Sequence, residues 1–301
     1  MKHTLKITLL LVGIFMAAQI VGLLVTNQYI DHQTSIATGN ITFTQLPYNI
    51  ERPPVEQSSS FVYIIIAVLL ATIIMFLLIK FRTPWLWKVW FFLAVILCLT
   101  ISIGAFVNKY VALAIAVILA VFKIFRPNIY IHNLSEVLIY GGLAAIFVPI
   151  MNVFASVMLL ILISIYDVIA VWKSGHMIKL AKFQTESKVF AGLLIRYKAE
   201  KTGMPKIGKK IEQKQAAEEP RNAVLGGGDI GFPLLFAGVV MKGFMLQNGF
   251  GIAFLKALII PLFAAIALLL LLLKAKKDRF YPAMPFISAG CFVGYAIVML
   301  I

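Results

Sequence analysis

The sequence is poor in charged residues. Asp, Glu, Lys and Arg make up only 13% of its 301 residues, against roughly 25% in a typical soluble domain. Hydrophobic residues account for 61%, and the mean hydropathy is +0.97. This balance excludes a soluble globular domain. Together with repeated apolar stretches long enough to cross a bilayer, it predicts a multi-pass membrane protein.

Cysteine is almost absent as well. Cys98 and Cys291 both lie in apolar runs, no Cys-x-x-Cys pair is present, and the four His residues form no cluster. We therefore expect neither a disulfide framework nor a metal site. No cofactor is expected either.

Acidic residues are scarce relative to basic ones, at 12 against 27, which gives a net charge of +15. Such a charge could indicate nucleic acid as a partner. The basic residues are dispersed among the short connections between apolar runs, however, where they set membrane topology and meet anionic headgroups. The expected surroundings are thus a lipid bilayer, at the cell membrane, with no nucleic-acid partner.

Nine membrane spans are predicted, which makes the expected fold an all-α integral membrane bundle of nine transmembrane helices. The first span is longer than the apolar region of a signal peptide and lacks a clear cleavage site, so we predict that it stays in the protein. The fifth contains Gly141, Gly142 and Pro149, and a tilted or partly re-entrant element is left open there. The predicted spans are residues 5–26, 61–79, 86–106, 111–125, 135–150, 154–172, 223–241, 250–273 and 282–300.

The distribution of basic residues predicts the orientation. Twenty-three of the 27 Lys and Arg residues fall on the side of the N-terminus, and only Arg52, Lys109 and Lys242 fall on the other. The positive-inside bias therefore places the N-terminus in the cytoplasm and, with nine spans, the C-terminus outside. The chain divides into an N-terminal part of six spans (1–172), a cytoplasmic loop (173–221) and a C-terminal part of three spans (222–301).

Two connections are long. Residues 27–60 are polar and predict a solvated exterior cap or flexible connection. In the cytoplasmic loop, residues 189–195 are apolar and predict a segment at the membrane surface, whereas residues 198–221 are charged and predict a flexible linker.

Two aspartates stand inside apolar runs, where a charge costs about 2.5 to 3.5 kcal/mol even on insertion scales. They are Asp167 and Asp229; the other ten acidic residues lie in loops or at span ends, and Glu136 is expected to stay wet at the start of the fifth span. Counting about 1.5 Å per residue, Asp167 and Asp229 lie roughly 9 and 12 Å from their cytoplasmic helix ends. Because their spans are consecutive, both carboxyl groups are expected at one depth.

A close pair of carboxyl groups can perform acid–base chemistry. The two groups do not both ionise readily at short range, so near neutral pH the pair holds one shared proton. The carboxylate then takes a proton from water while its protonated partner polarises a peptide carbonyl. The pattern therefore favours aspartyl hydrolysis of an amide bond.

Three neighbouring features suit that reaction. Gly226, Gly227 and Gly228 leave room beside Asp229 for an extended backbone. Tyr166 offers an aromatic wall beside Asp167. Pro282 and Pro285 interrupt the start of the last span, which leaves backbone groups free to pair with a ligand.

These residues resemble the three motifs of the GxGD intramembrane aspartyl proteases. The motifs are Tyr166-Asp167, Gly226-Gly227-Gly228-Asp229 and Pro282-Ala283-Met284. Their surroundings, Ser-Ile-Tyr-Asp-Val-Ile-Ala-Val and Pro-Ala-Met-Pro-Phe-Ile-Ser, are similar to the presenilin branch, as is the predicted orientation. The resemblance covers essentially the whole chain and implies a presenilin homologue, expected to be archaeal.

The resemblance implies an enzyme that cuts transmembrane segments of other proteins. It assigns catalysis to Asp167 and Asp229, and substrate binding to seven residues: Tyr166, Gly226, Gly227, Gly228, Pro282, Ala283 and Met284. Met284 stands where the family motif has Leu, a change of similar volume. The 173–221 loop does not match the cleavage segment of animal presenilins, so self-cleavage is not implied. The need for partner subunits and a homo-oligomeric state are left open.

A second interpretation is a transporter or cation leak channel that uses the same two carboxyl groups. Paired intramembrane carboxylates bind protons or cations in such proteins, and broken helices line their paths. An internal repeat would favour this alternative, but the carboxylates fall in consecutive spans with no counterpart in the first four.

Overall fold

Helices dominate the structure, a computed structural model that describes residues 4–81, 83–126, 128–173, 183, 190–197, 221–275 and 281–301. Among these residues there are nine helices: α1 (Leu5–Gln28), α2 (His32–Thr38), α3 (Ser60–Lys80), α4 (Pro84–Gly104), α5 (Lys109–Phe125), α6 (Ile129–Phe147), α7 (Val153–Val168), α8 (Gly227–Lys274) and α9 (Met284–Leu300). Each of the nine predicted spans overlaps a helix, and the predicted membrane bundle is confirmed.

Two of the nine spans share α8, which has 48 residues. A straight helix of that length would extend about 72 Å, more than twice the hydrocarbon thickness of a bilayer. The helix is interrupted at Gly249, whose φ of 71° and ψ of 163° lie in a region open essentially only to glycine. Its two halves correspond to the predicted spans 223–241 and 250–273.

The fifth predicted span differs most from its helix. α6 begins at Ile129, six residues before the predicted start, and continues without a break to Phe147, where a 3₁₀ turn, Val148–Ile150, follows. Together with that turn it is long and apolar enough to cross a membrane. Gly142 does not break it but allows α4 to pack closely against its backbone.

Because a Cβ on Gly142 would lie 2.7 Å from the carbonyl carbon of Cys98, we expect Gly142→Ala to force α4 and α6 apart. Overpacking of this kind costs about 1 to 3 kcal/mol, which should lower the thermal unfolding midpoint in detergent. Gly13→Ala on α1 is the matched control, since a Cβ there meets nothing within 4 Å. Equal midpoints for the two variants would contradict this packing.

The centre of the bundle is formed by α1, α6 and α8, which contact one another, while α9 packs along α8. Phe15 of α1 and Phe236 of α8 are fully buried there. On α9, Gly290 and Gly294 bring the helix against the backbone of α8, as small residues do in membrane helices. α7 lies between α3 and the α8–α9 pair, and this places Asp167 at the inner side of the bundle.

The connection between α1 and α3 is folded. It contains α2 and a short antiparallel pair of strands, β1 (Ile30–Asp31) and β2 (Thr42–Phe43). Leu46 is 2% exposed, and the Tyr29 hydroxyl donates to the carbonyl of Ile101 on α4 at 2.7 Å. Of the two expectations for residues 27–60, a cap rather than a flexible connection is found.

The long connection after α7 contributes a strand that the sequence did not predict. β3 (Gly192–Tyr197) pairs antiparallel with β4 (Arg221–Gly226), with Gly192 opposite Gly226 and Leu194 opposite Val224. Leu193 is fully buried, so the apolar segment expected at the membrane surface is part of the protein core. The linker predicted at 198–221 lies outside the described residues except for Arg221.

Candidate active site

Asp167 lies near the end of α7 and is buried, with 5% of its surface exposed. A π-helical turn, Ile169–Lys173, follows directly, and such turns are frequent at functional sites. One turn earlier, the Ser164 hydroxyl donates to the Ser288 hydroxyl on α9 at 2.9 Å. This bond fixes α7 against α9 beside the carboxyl group.

The Pro-Ala-Met segment meets Asp167 through its backbone. α9 begins at Met284, and the first N–H groups of a helix have no acceptor within it. The Met284 N–H donates to Asp167 Oδ2 at 3.1 Å, and the backbone of Ala283 also hydrogen-bonds this carboxyl group. A carboxylate is favoured at a helix N-terminus, so this contact positions Asp167.

Asp229 lies in the first turn of α8, as its third residue. The predicted span began four residues too early, because residues 221–226 form β4 rather than helix. The Asp229 side chain reaches back to hydrogen-bond the backbone of Gly226, the N-cap residue. This is one half of a capping box, since Gly226 has no side chain to return the bond, and it places the carboxyl group beside the end of the strand.

Asp167 and Asp229 are near enough for their charges to interact. Each carboxyl group also hydrogen-bonds backbone at the start of a helix, Asp167 with Ala283 and Met284 and Asp229 with Gly226. The Pro-Ala-Met segment belongs to the same place through Met284, and the glycine run belongs to it through Gly226.

The remaining predicted residues have separate surroundings. The Tyr166 hydroxyl is 3.1 Å from Thr72 Oγ1, so this side chain connects α7 to α3. A Cβ on Gly227 would lie 2.9 Å from the Tyr140 hydroxyl, and Gly228 is exposed. Gly227 therefore provides close packing against α6, and a Cβ on Gly228 would lie 3.2 Å from the Phe232 ring.

The β3–β4 hairpin has one covered edge and one open edge. Leu194 hydrogen-bonds Asn133 through both of its backbone groups, so the Leu194–Val224 pair is a non-hydrogen-bonded pair of the ladder. The N–H and C=O of Val224 then point away from β3, where they meet no partner among the described residues. Val224 is 46% exposed, and the strand ends two residues later at Gly226, three residues before Asp229.

A family model described as signal-peptide peptidase, presenilin aspartyl protease matches residues 13–301, almost the whole chain. The chain belongs to this family. Two similar solved structures, both of a presenilin family intramembrane aspartate protease, have TM-scores of 0.60 (C222 space group) and 0.58 (P2 space group). Each is 16% identical in sequence. The match to the first covers 97% of this chain and 98% of the solved chain, and the match to the second covers 96% of this chain and 96% of the solved chain. A comparison with curated proteins finds no match.

Membership in the presenilin aspartyl protease family confirms the predicted class of enzyme, an intramembrane aspartic protease. The shared fold over nearly the full length of both solved structures confirms the helical membrane bundle. Family members act on transmembrane substrates within the bilayer.

In this presenilin-family chain, sequence reasoning missed a buried polar cluster on α5 and α6. Lys123 Nζ donates to Glu136 Oε1 at 2.6 Å, and the Tyr140 hydroxyl donates to Glu136 Oε2. Glu136 is 1% exposed, so the expectation that it stays wet is wrong. The Tyr140 hydroxyl also packs against Gly227, two residues before Asp229, which places the cluster beside the candidate active site.

A second missed residue is Gln19 on α1. Its Nε2 donates to the carbonyl of Ile230 at 2.9 Å, one residue after Asp229, and the side chain is fully buried. For the residues on α6, the signal that could have identified them is spacing. His132, Glu136 and Tyr140 recur every four residues and so share one face of the helix.

Proposed function

We propose that this protein is an intramembrane endopeptidase that hydrolyses peptide bonds within transmembrane segments of other proteins, with Asp167 and Asp229 as its catalytic residues. The observation that supports the proposal is that these two carboxyl groups are near enough for their charges to interact, and that Asp229 follows the open-edged strand β4 by three residues. The pair of carboxyl groups would perform the chemistry, and the open strand edge would bind an extended substrate. The N-terminus is assigned to the cytoplasm, and the protein to the cell membrane.

The proposed reaction uses one proton shared by the pair. The ionised carboxylate removes a proton from water as the water oxygen bonds to the peptide carbon, and the protonated partner donates to the carbonyl oxygen. When the resulting gem-diol collapses, the roles reverse: the carboxyl group that took the water proton gives it to the leaving nitrogen, the other carboxylate takes a proton from a gem-diol hydroxyl, and the C–N bond breaks. The pair returns to its single-proton state, and no metal or cofactor is required.

The open edge of β4 is the proposed binding place for substrate. Peptide carbonyls in a transmembrane helix are hydrogen-bonded within the helix, whereas a strand added to a sheet edge is extended and follows the edge. A substrate strand paired with Val224 would continue past Gly226 towards Asp229. In this proposal, the Gly226–Gly228 run admits its backbone, Tyr166 borders it, and the Pro282–Met284 segment helps hold it extended.

Reconstitution in liposomes tests the function directly. Purified protein is expected to cleave a reporter protein with one transmembrane segment, and not to change the cation permeability of the vesicles. Carboxyl-dependent cation flux without proteolysis would instead support a transporter or leak channel and overturn the proposal.

Val224→Pro tests the strand edge. Proline removes the Val224 N–H, which faces away from β3, and proline is tolerated on an open edge. The hairpin should persist, while a substrate carbonyl loses its donor; an unsatisfied buried group costs about 1 to 3 kcal/mol, so kcat/KM should fall about 10-fold or more. Steady-state cleavage of the reporter measures this effect.

Val224→Ala is the control for that experiment, because it shortens the side chain and keeps the N–H. It should cleave the reporter nearly as well as the unmodified protein. Full activity in Val224→Pro with an unchanged unfolding midpoint would exclude pairing of substrate at this edge.

A further inference from the structure

We infer that α6 takes the place of a third strand beside β3, so that His132 and Asn133 are positioning residues that assemble the hairpin and Asp229 before substrate arrives. The inference rests on the proposed function for its kinetic consequence but not for its structural one. Its basis is the edge of β3 that β4 leaves uncovered.

Asn133 supplies what a neighbouring strand would. Its Nδ2 donates to the Leu194 carbonyl at 2.8 Å, and the Leu194 N–H donates to its Oδ1 at 3.0 Å. A side-chain amide carries the same donor and acceptor as a peptide group. One residue of α6 therefore satisfies both backbone groups of Leu194 that point away from β4.

His132 holds the next outward-facing group of the strand. Its Nε2 lies 2.8 Å from the Gly192 carbonyl, and its Nδ1 lies 3.2 Å from Lys123 Nζ. An ammonium group only donates hydrogen bonds, so Nδ1 is the acceptor and Nε2 carries the proton given to Gly192. The Lys123–Glu136 pair thereby selects the His132 tautomer that binds β3.

β3 in turn positions the start of α8. Gly192 is opposite Gly226, and the Gly227 N–H donates to the Ala191 carbonyl at 3.2 Å. The contacts of α6 with β3 are thus transmitted across the ladder to the residues immediately before Asp229. Neither His132 nor Asn133 needs to touch the reacting atoms.

The low stability expected of an isolated β3–β4 hairpin explains why α6 is needed beside it. An isolated two-stranded hairpin is marginally stable in water, and a third element is generally required. With α6 on the β3 edge, the hairpin is complete on that side and offers only the β4 edge for pairing. Without α6, the hairpin would have to order each time a substrate binds, which reduces apparent affinity by the fraction that is ordered.

The test uses Asn133→Asp, which keeps the shape but removes the donor to Leu194 and places a carboxylate oxygen near its carbonyl. Amide hydrogen exchange of residues 190–197 and 221–226 is measured in lipid nanodiscs without substrate. Exchange there should accelerate about 10-fold or more, and KM for the reporter should rise about as much while kcat changes less than about 2-fold, because bound substrate restores the sheet. His132→Phe, which keeps an aromatic ring but loses the donor to Gly192, should behave alike.

Asn128→Ala is the matched control on the same helix. The Asn128 side chain caps α6 by accepting from the Tyr130 N–H and makes no hydrogen bond to β3 among the described residues, so its loss should leave hairpin exchange and KM unchanged. Unchanged hairpin exchange in both Asn133→Asp and His132→Phe would overturn the inference, as would a fall in kcat at constant KM. The hydrogen-exchange measurement does not depend on enzyme activity. If the protein cleaved no substrate, the proposed function would be refuted, but the exchange result would still decide whether α6 holds the hairpin.

Discussion

Asp167→Asn and Asp229→Asn are each expected to lower kcat by about 10³-fold or more. This loss lies within the range of general acid–base catalysis, because either substitution removes the acid and the base roles together. Asparagine has the shape of aspartate but cannot exchange the proton that the mechanism requires. In Asp167→Asn the side-chain oxygen still accepts from the Met284 N–H, so the fold around α9 should be preserved. Cleavage of the membrane reporter, with binding measured separately, distinguishes lost chemistry from lost affinity.

Asp31→Asn is the matched control for this pair of variants. Asp31 caps α2 in the exterior cap, accepting from the Thr34 N–H at 3.0 Å, and lies outside the candidate active site. It should cleave at the unmodified rate. If either active-site variant also retained that rate, Asp167 and Asp229 would not form the catalytic pair.

Glu136→Gln is expected to destabilise the folded protein by about 3 to 5 kcal/mol, the cost of leaving one member of a buried ion pair without its partner. The side chains of Lys123 and Glu136 are each 2% exposed, so water cannot replace the lost contact. Unfolding in mixed detergent and SDS micelles provides the measurement. Lys123→Met should cost a similar amount, since it leaves the carboxylate buried.

Combining Lys123→Met with Glu136→Gln should recover much of the loss, because no uncompensated charge then remains. A double-mutant cycle reports the coupling between the two sites. If the two losses simply added, the Lys123–Glu136 contact would not be the reason for the destabilisation.

The membrane spans could be predicted from sequence because burial in lipid acts on long segments. α3 (Ser60–Lys80) agrees with the predicted span 61–79 to within one residue at each end. Asp167 and Asp229 were identifiable for the same reason, since an apolar surrounding makes a single charge conspicuous. The glycine and proline residues near them were interpreted as room for substrate, whereas the structure also gives them roles in capping and helix packing.

The hairpin and the α6 cluster could not be predicted in the same way. β3 and β4 have six residues each and pair across a long loop, so neither has the repeated local pattern of a helix. Glu136 looked exposed because hydropathy treats each charge separately. Its burial depends on Lys123, thirteen residues away on another helix, and only the packed structure brings the two together.

Mass spectrometry of the products formed by purified protein in lipid nanodiscs, with ¹⁸O-labelled water as solvent, tests the central claim most directly. The account predicts a cut inside the transmembrane segment of the reporter, nearer its cytoplasmic end, with one ¹⁸O atom in the new C-terminal carboxylate and no such product from Asp167→Asn or Asp229→Asn. Cuts confined to the loops of the reporter, or the same product from the Asn variants, would contradict it.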